Sequence, residues 1–197
     1  MSSVKESNSG QTPAEPSDTD VVHRAQEGDE GAFELLLERY GSHLRRLAFY
    51  LCGDSHDADE IVQETFLGAW RSLKGFESRA SVKTWLSRIL VRQAARHHRS
   101  QRVRLAVHPL HLSAASKALL DGSSIEDSTK GAEIGMDVMN VLMTLRPEYR
   151  EIVTLRDLNG LSYQEIEDVL GIPVGTVESR LFRARQEMKE RLKDYLG

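Results

Sequence analysis

The amino-acid sequence predicts an all-α protein built from two small helical domains. Apolar residues recur mostly every three or four positions between residues 29 and 51 and again from about residue 134, which is the spacing of one buried helix face. Strand-like alternation between turn signals is missing, and the five prolines fall in the N-terminal tail or at predicted element boundaries. Between residues 103 and 133 the periodicity gives way to a mixture rich in Ser, Gly and Ala, which indicates a linker.

These patterns divide the chain into four predicted segments. The first twenty residues hold no apolar stretch, so we expect a disordered tail rather than a secretion signal. No run of eighteen apolar residues occurs, so no membrane insertion is expected and a cytoplasmic location is predicted. The segments are a disordered tail (1–20), a first helical domain (21–102), a linker (103–133) and a second helical domain (134–197).

Three helices are predicted in the first domain, over about residues 29–51, 57–73 and 82–102. The first carries an apolar stripe and ends before Gly53. The second opens on a run of acidic side chains, which suits the positive end of a helix dipole. The predicted stripe of the first helix comprises Phe33, Leu36, Leu37, Tyr40, Leu44, Leu47 and Leu51.

Charge is distributed very unevenly along the chain. The formal net charge is −4, which taken alone argues against a nucleic-acid ligand. Residues 78–120, however, hold nine basic residues and no acidic one, whereas both flanking segments are acidic. Such a local basic stretch predicts contact with a polyanion, with a solvated basic face as the alternative.

The strongest local signal lies between residues 161 and 193. Ser162 and Glu165 form a capping-box pattern at a helix start, and Gly171 can take the left-handed conformation that ends that helix. Pro173 suits the first position of a second helix. That second helix places Val177 and Leu181 inward and several basic residues outward. Two helices joined by a short glycine turn, the second one basic, predict a DNA-binding helix-turn-helix rather than a plain helical hairpin.

The helix predicted over residues 82–102 carries a row of arginines. Arg88, Arg92, Arg96 and Arg99 are spaced by four, four and three residues and therefore share one face. A loop with an aromatic entry, residues 76–81, comes just before this helix. A basic helix beside a small polar loop suits a single or melting DNA strand. Core packing is the alternative for the rings of Phe76 and Trp85.

Several segments together resemble the extracytoplasmic-function sigma factors of bacterial RNA polymerase. Asp57–Phe66 followed by Ala69-Trp70, and Phe76–Ser81 followed by Lys83–Ile89, resemble region 2 of that family. Leu145–Glu151, Leu161–Ile166 and Gly171–Val177 resemble region 4. The resemblance covers about residues 21–102 and 134–193 in the family's order and spacing.

The resemblance implies a protein that binds core RNA polymerase and directs promoter-specific transcription initiation by reading −10 and −35 elements. No enzymatic activity and no cofactor are implied, and strand opening would draw on binding energy. The implied partners are the clamp helices of the largest polymerase subunit, the flap region, promoter DNA and an anti-sigma factor. The implied polymerase contacts are Asp59, Gln63, Glu64 and Leu67.

The resemblance also assigns the DNA contacts. The implied −10 and single-strand contacts are Phe76, Ser78, Arg79, Ser81 and Lys83, with Arg88, Arg92, Arg96 and Arg99 holding strand phosphates. The implied −35 contacts are Thr176, Ser179, Arg180, Phe182 and Arg183.

This sequence departs from the family pattern at three places. The family often has Gly where Ser78 stands, and commonly Asn and Asp in the helix that here offers Val91, Arg92 and Arg96. A Lys or Arg is usual at the position of Glu178, where a carboxylate would repel phosphate but can accept from cytosine N4.

The same residues allow three alternative interpretations. A stand-alone helix-turn-helix regulator explains residues 134–197 but not the acidic helix, the loop and the arginine row. A metal-dependent enzyme using His56, Asp57, Asp59 and Glu60 is disfavoured, because neighbouring residues on a helix point in different directions. His108 and His111 are spaced as half a zinc site, with no cysteine nearby in the sequence to complete it. No metal site is therefore predicted.

Overall fold

A computed structural model describes residues 15–107 and 138–196, with side chains at residues 15–101 and 138–193. The described residues form helices and connecting turns, without a strand, and the predicted all-α class is confirmed. A 3-10 turn, Leu73–Gly75, and a π-helical turn, Thr154–Leu158, extend two of the helices. The helices are α1 (Asp18–Gln26), α2 (Glu30–Cys52), α3 (Ser55–Ser72), α4 (Val82–Val107), α5 (residues 138–144), α6 (Pro147–Val153), α7 (Tyr163–Leu170) and α8 (Val174–Leu196).

Helices α1 to α4 form the N-terminal unit, whose buried apolar side chains belong to one cluster that continues into the C-terminal helices. α2 packs against α3 and α4, and α3 packs against α4. The largest fully buried side chains of this unit include those of Leu36, Leu44, Ile61, Leu86 and Leu90. Of the stripe predicted on α2, Leu37 is exposed, because it lies at the edge of a stripe that is wider than the contact with the neighbouring helices.

Part of the segment predicted as a disordered tail is helical. Residues 1–14 lie outside the described chain, but residues 18–20, predicted as disordered, already belong to α1. Ser17 and Asp20 form a capping box at its start. Val21 and Val22 are buried, so the packing of one short apolar face on α2 stabilises a helix too brief to show a clear period.

The positions where α2 and α4 end are explained by the glycine and proline residues near them. Gly53 ends α2 in the left-handed conformation, with φ of 81°. α4 continues to Val107, five residues beyond its predicted end, because no glycine or proline interrupts the chain before Pro109. Of the linker predicted over residues 103–133, residues 103–107 belong to α4, and residues 108–133 lie outside the described residues. That undescribed part includes His108 and His111 and the helical turn that the sequence indicates near residues 114–120.

Helices α5 to α8 form the C-terminal unit. Its core contains the buried side chains of Leu142, Ile152, Leu155, Ile166 and Leu181. The sequence predicts a helix over residues 148–158 with Leu158 facing inward, and this orientation is wrong, since the side chain is 42% exposed. The π-helical turn explains the difference, because its wider turn rotates the last residue of the segment away from the face that an α-helix would bury.

Gly53 tests how the end of α2 is formed. A Cβ atom at this position would lie 2.6 Å from Sδ of Met143 on α5, and the left-handed conformation itself costs a residue with a side chain about 1–2 kcal/mol. We expect Gly53→Ala to lower the free energy of unfolding by at least that amount in urea titration. Gly41→Ala is the matched control, because Gly41 lies inside α2 with open space around it. This second change should stabilise the protein by about 0.5–1 kcal/mol. Equal effects of both changes would contradict this account of the α2 end.

Candidate nucleic-acid interface

The helix-turn-helix is assembled from local hydrogen bonds. Ser162 Oγ accepts from the backbone N–H of Glu165 at 3.2 Å, and Glu165 Oε2 accepts from the backbone N–H of Ser162 at 2.8 Å. Gly171 ends α7 with φ of 68° and donates to Glu167 O. The predicted capping box and glycine turn are therefore confirmed. Pro173 directly precedes α8 and accepts from the N–H of Val177, so it lies one position earlier than predicted.

Helix α8 has one face that is buried in the C-terminal unit and another that is exposed to solvent. Val177, Leu181 and Ala184 are buried in the C-terminal core. Phe182 is 66% exposed, which is unusual for an aromatic ring of this size. Glu178 is exposed as well. Of the five predicted −35 contacts, Ser179, Phe182 and Arg183 are exposed, and Thr176 and Arg180 are half-buried.

An open groove of about 660 Å³ lies beside Phe182. Arg183 lines it from α8, and Arg146 lines it from the residue before α6. Glu187 and Glu190 line the same groove, and so does Arg191, which pairs with Glu187 at 2.5 Å. The side of the groove that Arg146, Phe182 and Arg183 line suits a ligand that offers both phosphate oxygens and flat apolar surface.

The loop between α3 and α4 is held by residues on both sides of it. The rings of Phe76 and Trp85 stack with centroids 4.6 Å apart, and both side chains are half-buried. Gln26 on α1 donates from Nε2 to the carbonyl oxygens of Leu73 and Phe76, each at 2.9 Å. This contact joins residues about fifty positions apart, which is why no local pattern in the sequence indicated Gln26.

Ser78 stands in the loop where the family often has glycine. It is the one residue other than glycine with positive φ among the described residues, at 56°. The loop therefore keeps the backbone conformation that glycine favours, although a serine stands there. Ser78 and Arg79 are exposed, and Arg79 pairs with Glu77 at 2.6 Å. Ser81 is exposed, but its hydroxyl accepts from the N–H of Thr84 at 3.1 Å and so serves the start of α4.

The arginine row on α4 has two parts. Arg92, Arg96 and Arg99 are exposed, as a phosphate-binding row requires. Arg88 is half-buried and donates from Nε to the carbonyl oxygen of Asp168 on α7 at 2.6 Å. Three members of the row are thus open to a ligand, while the first contacts the C-terminal unit.

The first two turns of α4 contact the C-terminal unit through polar groups. Thr84 Oγ1 donates to Glu165 Oε1 at 2.7 Å, and Asn159 Nδ2 donates to Ser87 Oγ at 3.1 Å. Lys83 Nζ donates to the carbonyl oxygen of Asn159. Hydrogen bonds from the Ser162 backbone and from Thr84 lower the pKa of Glu165, so it accepts as a carboxylate at neutral pH. Sequence reasoning missed Thr84, Ser87 and Asn159, because their partners are more than seventy residues away.

Arg150 forms a second bridge between the units. Its guanidinium donates to the carbonyl oxygens of Leu142, Met143 and Leu145 within the C-terminal unit. It also donates from Nη1 to the carbonyl oxygen of Leu51 at the end of α2, at 3.0 Å. A cation at a helix C-terminus interacts favourably with the helix dipole. Burial lowers the pKa of Arg150, but a guanidinium stays protonated at any physiological pH.

The outer face of α3 carries the predicted polymerase contacts. Asp59, Gln63 and Glu64 are exposed, and Leu67 is 40% exposed. Trp70, one turn further on, is exposed as well and packs edge-on against Phe33. An acidic strip thus lies next to exposed apolar side chains, an arrangement suited to a protein partner with basic and apolar residues.

Three side chains between α3 and α4 approach one another closely enough to hold an ion. Atoms of Asp57, Glu60 and His97 lie within 4.8 Å of one another. The two carboxylates face different ring nitrogens, Asp57 at Nε2 (3.1 Å) and Glu60 at Nδ1 (3.9 Å). One metal ion cannot use both nitrogens of a ring, so hydrogen bonding between the two helices explains the cluster better. Asp59, which the metal-enzyme alternative also required, pairs instead with Arg45 at 2.6 Å.

Both units match models of known protein families. Residues 36–104 match the model of sigma-70 region 2, and residues 135–188 match that of sigma-70 region 4. Among the described helices, none is long and apolar enough to cross a membrane.

Relatives cover nearly the whole chain. The chain is 33% identical over 184 residues to the RNA polymerase sigma-H factor of Pseudomonas aeruginosa, covering 91% of this chain and 95% of the relative. It is 32% identical over 180 residues to the ECF RNA polymerase sigma-E factor of Haemophilus influenzae, covering 89% and 95%. It is 34% identical over 177 residues to the sigma-E factor of Escherichia coli K12, covering 87% and 92%.

Solved structures agree with these relatives. The sigma factor RpoE in complex with the anti-sigma factor NepR from Bartonella quintana is similar with a TM-score of 0.67 and 26% identity, over 82% of this chain and 96% of that one. CnrH in complex with the cytosolic domain of CnrY gives a TM-score of 0.66 and 25% identity, over 90% and 97%. By its two matched regions and its relatives, the chain belongs to the extracytoplasmic-function sigma factors of bacterial RNA polymerase.

Proposed function

We propose that this sigma factor reads promoters through two separate surfaces, α8 for the −35 element and the 76–83 loop with α4 for the −10 element. Sigma factors direct promoter-specific transcription by RNA polymerase and are not enzymes. The observation that supports the division best is the row of exposed arginines on α4, which lies in a stretch without a single carboxylate. Family membership favours this function over a stand-alone helix-turn-helix regulator.

The −35 surface is proposed on the open face of α8. The exposed side chains at its start alternate with the buried ones, so they can enter a major groove without disturbing the core. Phe182 supplies apolar contact surface, and Arg183 supplies a donor for guanine or phosphate. The proposed contacts are Thr176, Ser179, Arg180, Phe182 and Arg183.

The −10 surface is proposed on the loop and α4. Ser78 shapes the loop, and Arg92, Arg96 and Arg99 offer cations at helical spacing to the phosphates of one strand. The stack of Phe76 on Trp85 supports a role of Phe76 in forming the loop wall. The remaining proposed members are Arg79, Ser81, Lys83 and Arg88.

Protein partners are proposed for the remaining surfaces. The exposed acidic and apolar side chains Asp59, Gln63, Glu64 and Leu67 support docking of α3 on the clamp helices of the largest polymerase subunit. The C-terminal unit would meet the flap region. One similar solved structure is a complex with an anti-sigma factor, and another is a complex with the cytosolic domain of CnrY; this supports our proposal of an anti-sigma factor for this chain. Because polymerase and promoter DNA are its partners, we propose a cytoplasmic location.

Reconstitution with core RNA polymerase tests the proposed function as a whole. Addition of the chain to core polymerase and genomic DNA should produce transcripts whose start sites share two upstream elements. Start-site mapping identifies both elements. If the chain retarded DNA alone but never redirected core polymerase, the stand-alone regulator would be the better description.

Glu178 tests the −35 surface. Glu178→Arg replaces an exposed carboxylate on α8 by a cation, which removes repulsion from phosphate. We expect stronger duplex binding or a changed −35 preference in a promoter panel. Glu38→Arg makes the same change at an exposed position on α2, outside the C-terminal unit, and should leave the preference unaltered. Identical promoter profiles for both variants would remove Glu178 from the DNA-facing surface.

Arg92 and Arg99 test the −10 surface. The double change Arg92→Gln, Arg99→Gln should weaken binding of the non-template strand of a mapped promoter. The slope of log affinity against log salt should fall by about 1.4, since each single-strand phosphate contact contributes about 0.7. Arg71→Gln, on the exposed end of α3, is the control for a simple loss of charge. A salt slope unchanged from wild type would show that the row does not hold phosphates.

Gln26 tests the support of the loop. Gln26→Glu keeps the size of the side chain but turns the donor that binds Leu73 O and Phe76 O into an acceptor, so these carbonyls repel it. We expect weaker binding of the −10 strand and unchanged binding of −35 duplex. Gln164→Glu, exposed on α7, is the matched control. Equal −10 affinity of the two variants would mean that Gln26 does not position the loop.

A further inference from the structure

Arg146 is an exposed cation that lies outside the helix-turn-helix but beside its second helix. It directly precedes α6, and it lines the open groove next to Phe182 together with Arg183 of α8. None of the five proposed −35 contacts lies on α6 or before it. Because α6 packs against α8, a ligand that is held on this side of α8 also meets Arg146.

The backbone of Arg146 is fixed by short-range hydrogen bonds. Its carbonyl oxygen accepts from the N–H of Tyr149 at 2.9 Å and from that of Arg150 at 3.0 Å. Pro147 begins α6, where its ring restricts φ to a helical value. Arg150 also donates to the carbonyl oxygen of Leu145 at 3.3 Å, which ties the turn before α6 to the helix. The point from which the Arg146 side chain extends is therefore set by the packing of α6 on α8.

The guanidinium group of Arg146 is available to an external anion. Its Cζ lies 5.9 Å from the centroid of the Tyr149 ring, a cation–π contact that restricts the side chain without neutralising its charge. Arg191, which lines the same groove, is already paired with Glu187. Arg146 and Arg183 form no ion pair with another residue in the part of the chain that the structure describes.

The groove offers a phosphate one favourable side. Arg146 and Arg183 line that side together with the exposed ring of Phe182. The carboxylates of Glu187 and Glu190 lie about one and two turns beyond Arg183 along α8 and repel a phosphate. The two unpaired arginines therefore mark the place where a DNA backbone can pass beside α8.

The position of Arg146 suits a backbone contact better than a base contact. Base edges are read by side chains of the helix that enters the major groove, such as Ser179 on the exposed face of α8. A cation that stands beside this helix, on a neighbouring one, meets the sugar–phosphate strand that borders the groove. Phosphate contacts of this kind fix the orientation of a protein on the duplex and carry no sequence information.

We propose that Arg146 is a positioning residue for −35 reading, which binds a backbone phosphate beside the bases that α8 contacts and so fixes how α8 lies in the major groove. This inference rests on the proposed −35 function of α8. Arg146 then contributes affinity for duplex DNA of any sequence, whereas the base contacts of α8 contribute the preference among promoters.

Arg146→Gln tests this role in the whole chain, with duplex DNA that carries a mapped −35 element. The slope of log affinity against log salt should fall by about 0.9, the contribution of one phosphate contact on duplex DNA. The loss of affinity should therefore shrink about 3.5-fold between about 50 mM and about 200 mM salt, and it should be equal across a promoter panel. Arg71→Gln, exposed on α3, is the matched control for the loss of one charge.

Two further variants separate a phosphate contact from a structural role. Arg146→Lys keeps the charge and should restore the wild-type salt slope. Arg146→Met keeps a long side chain beside Tyr149 without a charge, and should bind DNA as Arg146→Gln does. Thermal unfolding reports whether each variant is folded. A reduced salt slope in a variant with the wild-type melting temperature is a result that a merely structural role would not give.

Three results would overturn the inference. The first is a wild-type salt slope for Arg146→Gln, and the second is a changed promoter preference, which would make Arg146 a base contact. The third is weaker binding of core polymerase with unchanged duplex binding, which would assign the groove to a protein partner. The proposed −35 function fails separately, if Arg183→Gln also binds the −35 duplex as wild type does.

Discussion

Helix α4 meets three different neighbours, and the organisation of the chain depends on how its surface is shared among them. One side buries Leu86 and Leu90 in the N-terminal core. The first two turns present Thr84 and Ser87 to the C-terminal unit, and a third strip carries the exposed arginines. Because a helix repeats every 3.6 residues, these strips coexist only if each position serves one neighbour. Arg88, at the boundary between two strips, is the exception, since it contacts α7 while belonging to the arginine row.

Electrostatic interactions in this protein are local. The chain as a whole is acidic, but charges on the protein surface separated by more than about 8 Å are largely screened at physiological ionic strength. The acidic face of α3 and the basic face of α4 can therefore attract different partners. Asp57 and His97 join the two helices through a 3.1 Å contact, so the two oppositely charged surfaces belong to one rigid element of the N-terminal unit.

The sequence by itself determined the features that depend on neighbouring residues. Helical periodicity predicted the all-α class, and the pattern at Ser162, Glu165 and Gly171 predicted the cap and turn of the helix-turn-helix, because caps and turns are formed within a few residues. The arginine row followed from its spacing alone. Tertiary structure decided the rest: the burial of α1, the outward rotation of Leu158, the support of the loop by Gln26, and the contacts of Thr84 and Ser87 with the C-terminal unit. Apart from the packing of α1 on the neighbouring α2, these features join residues from about fifty to eighty positions apart or depend on a change in helix type, and no local period records which distant surface a polar side chain will meet.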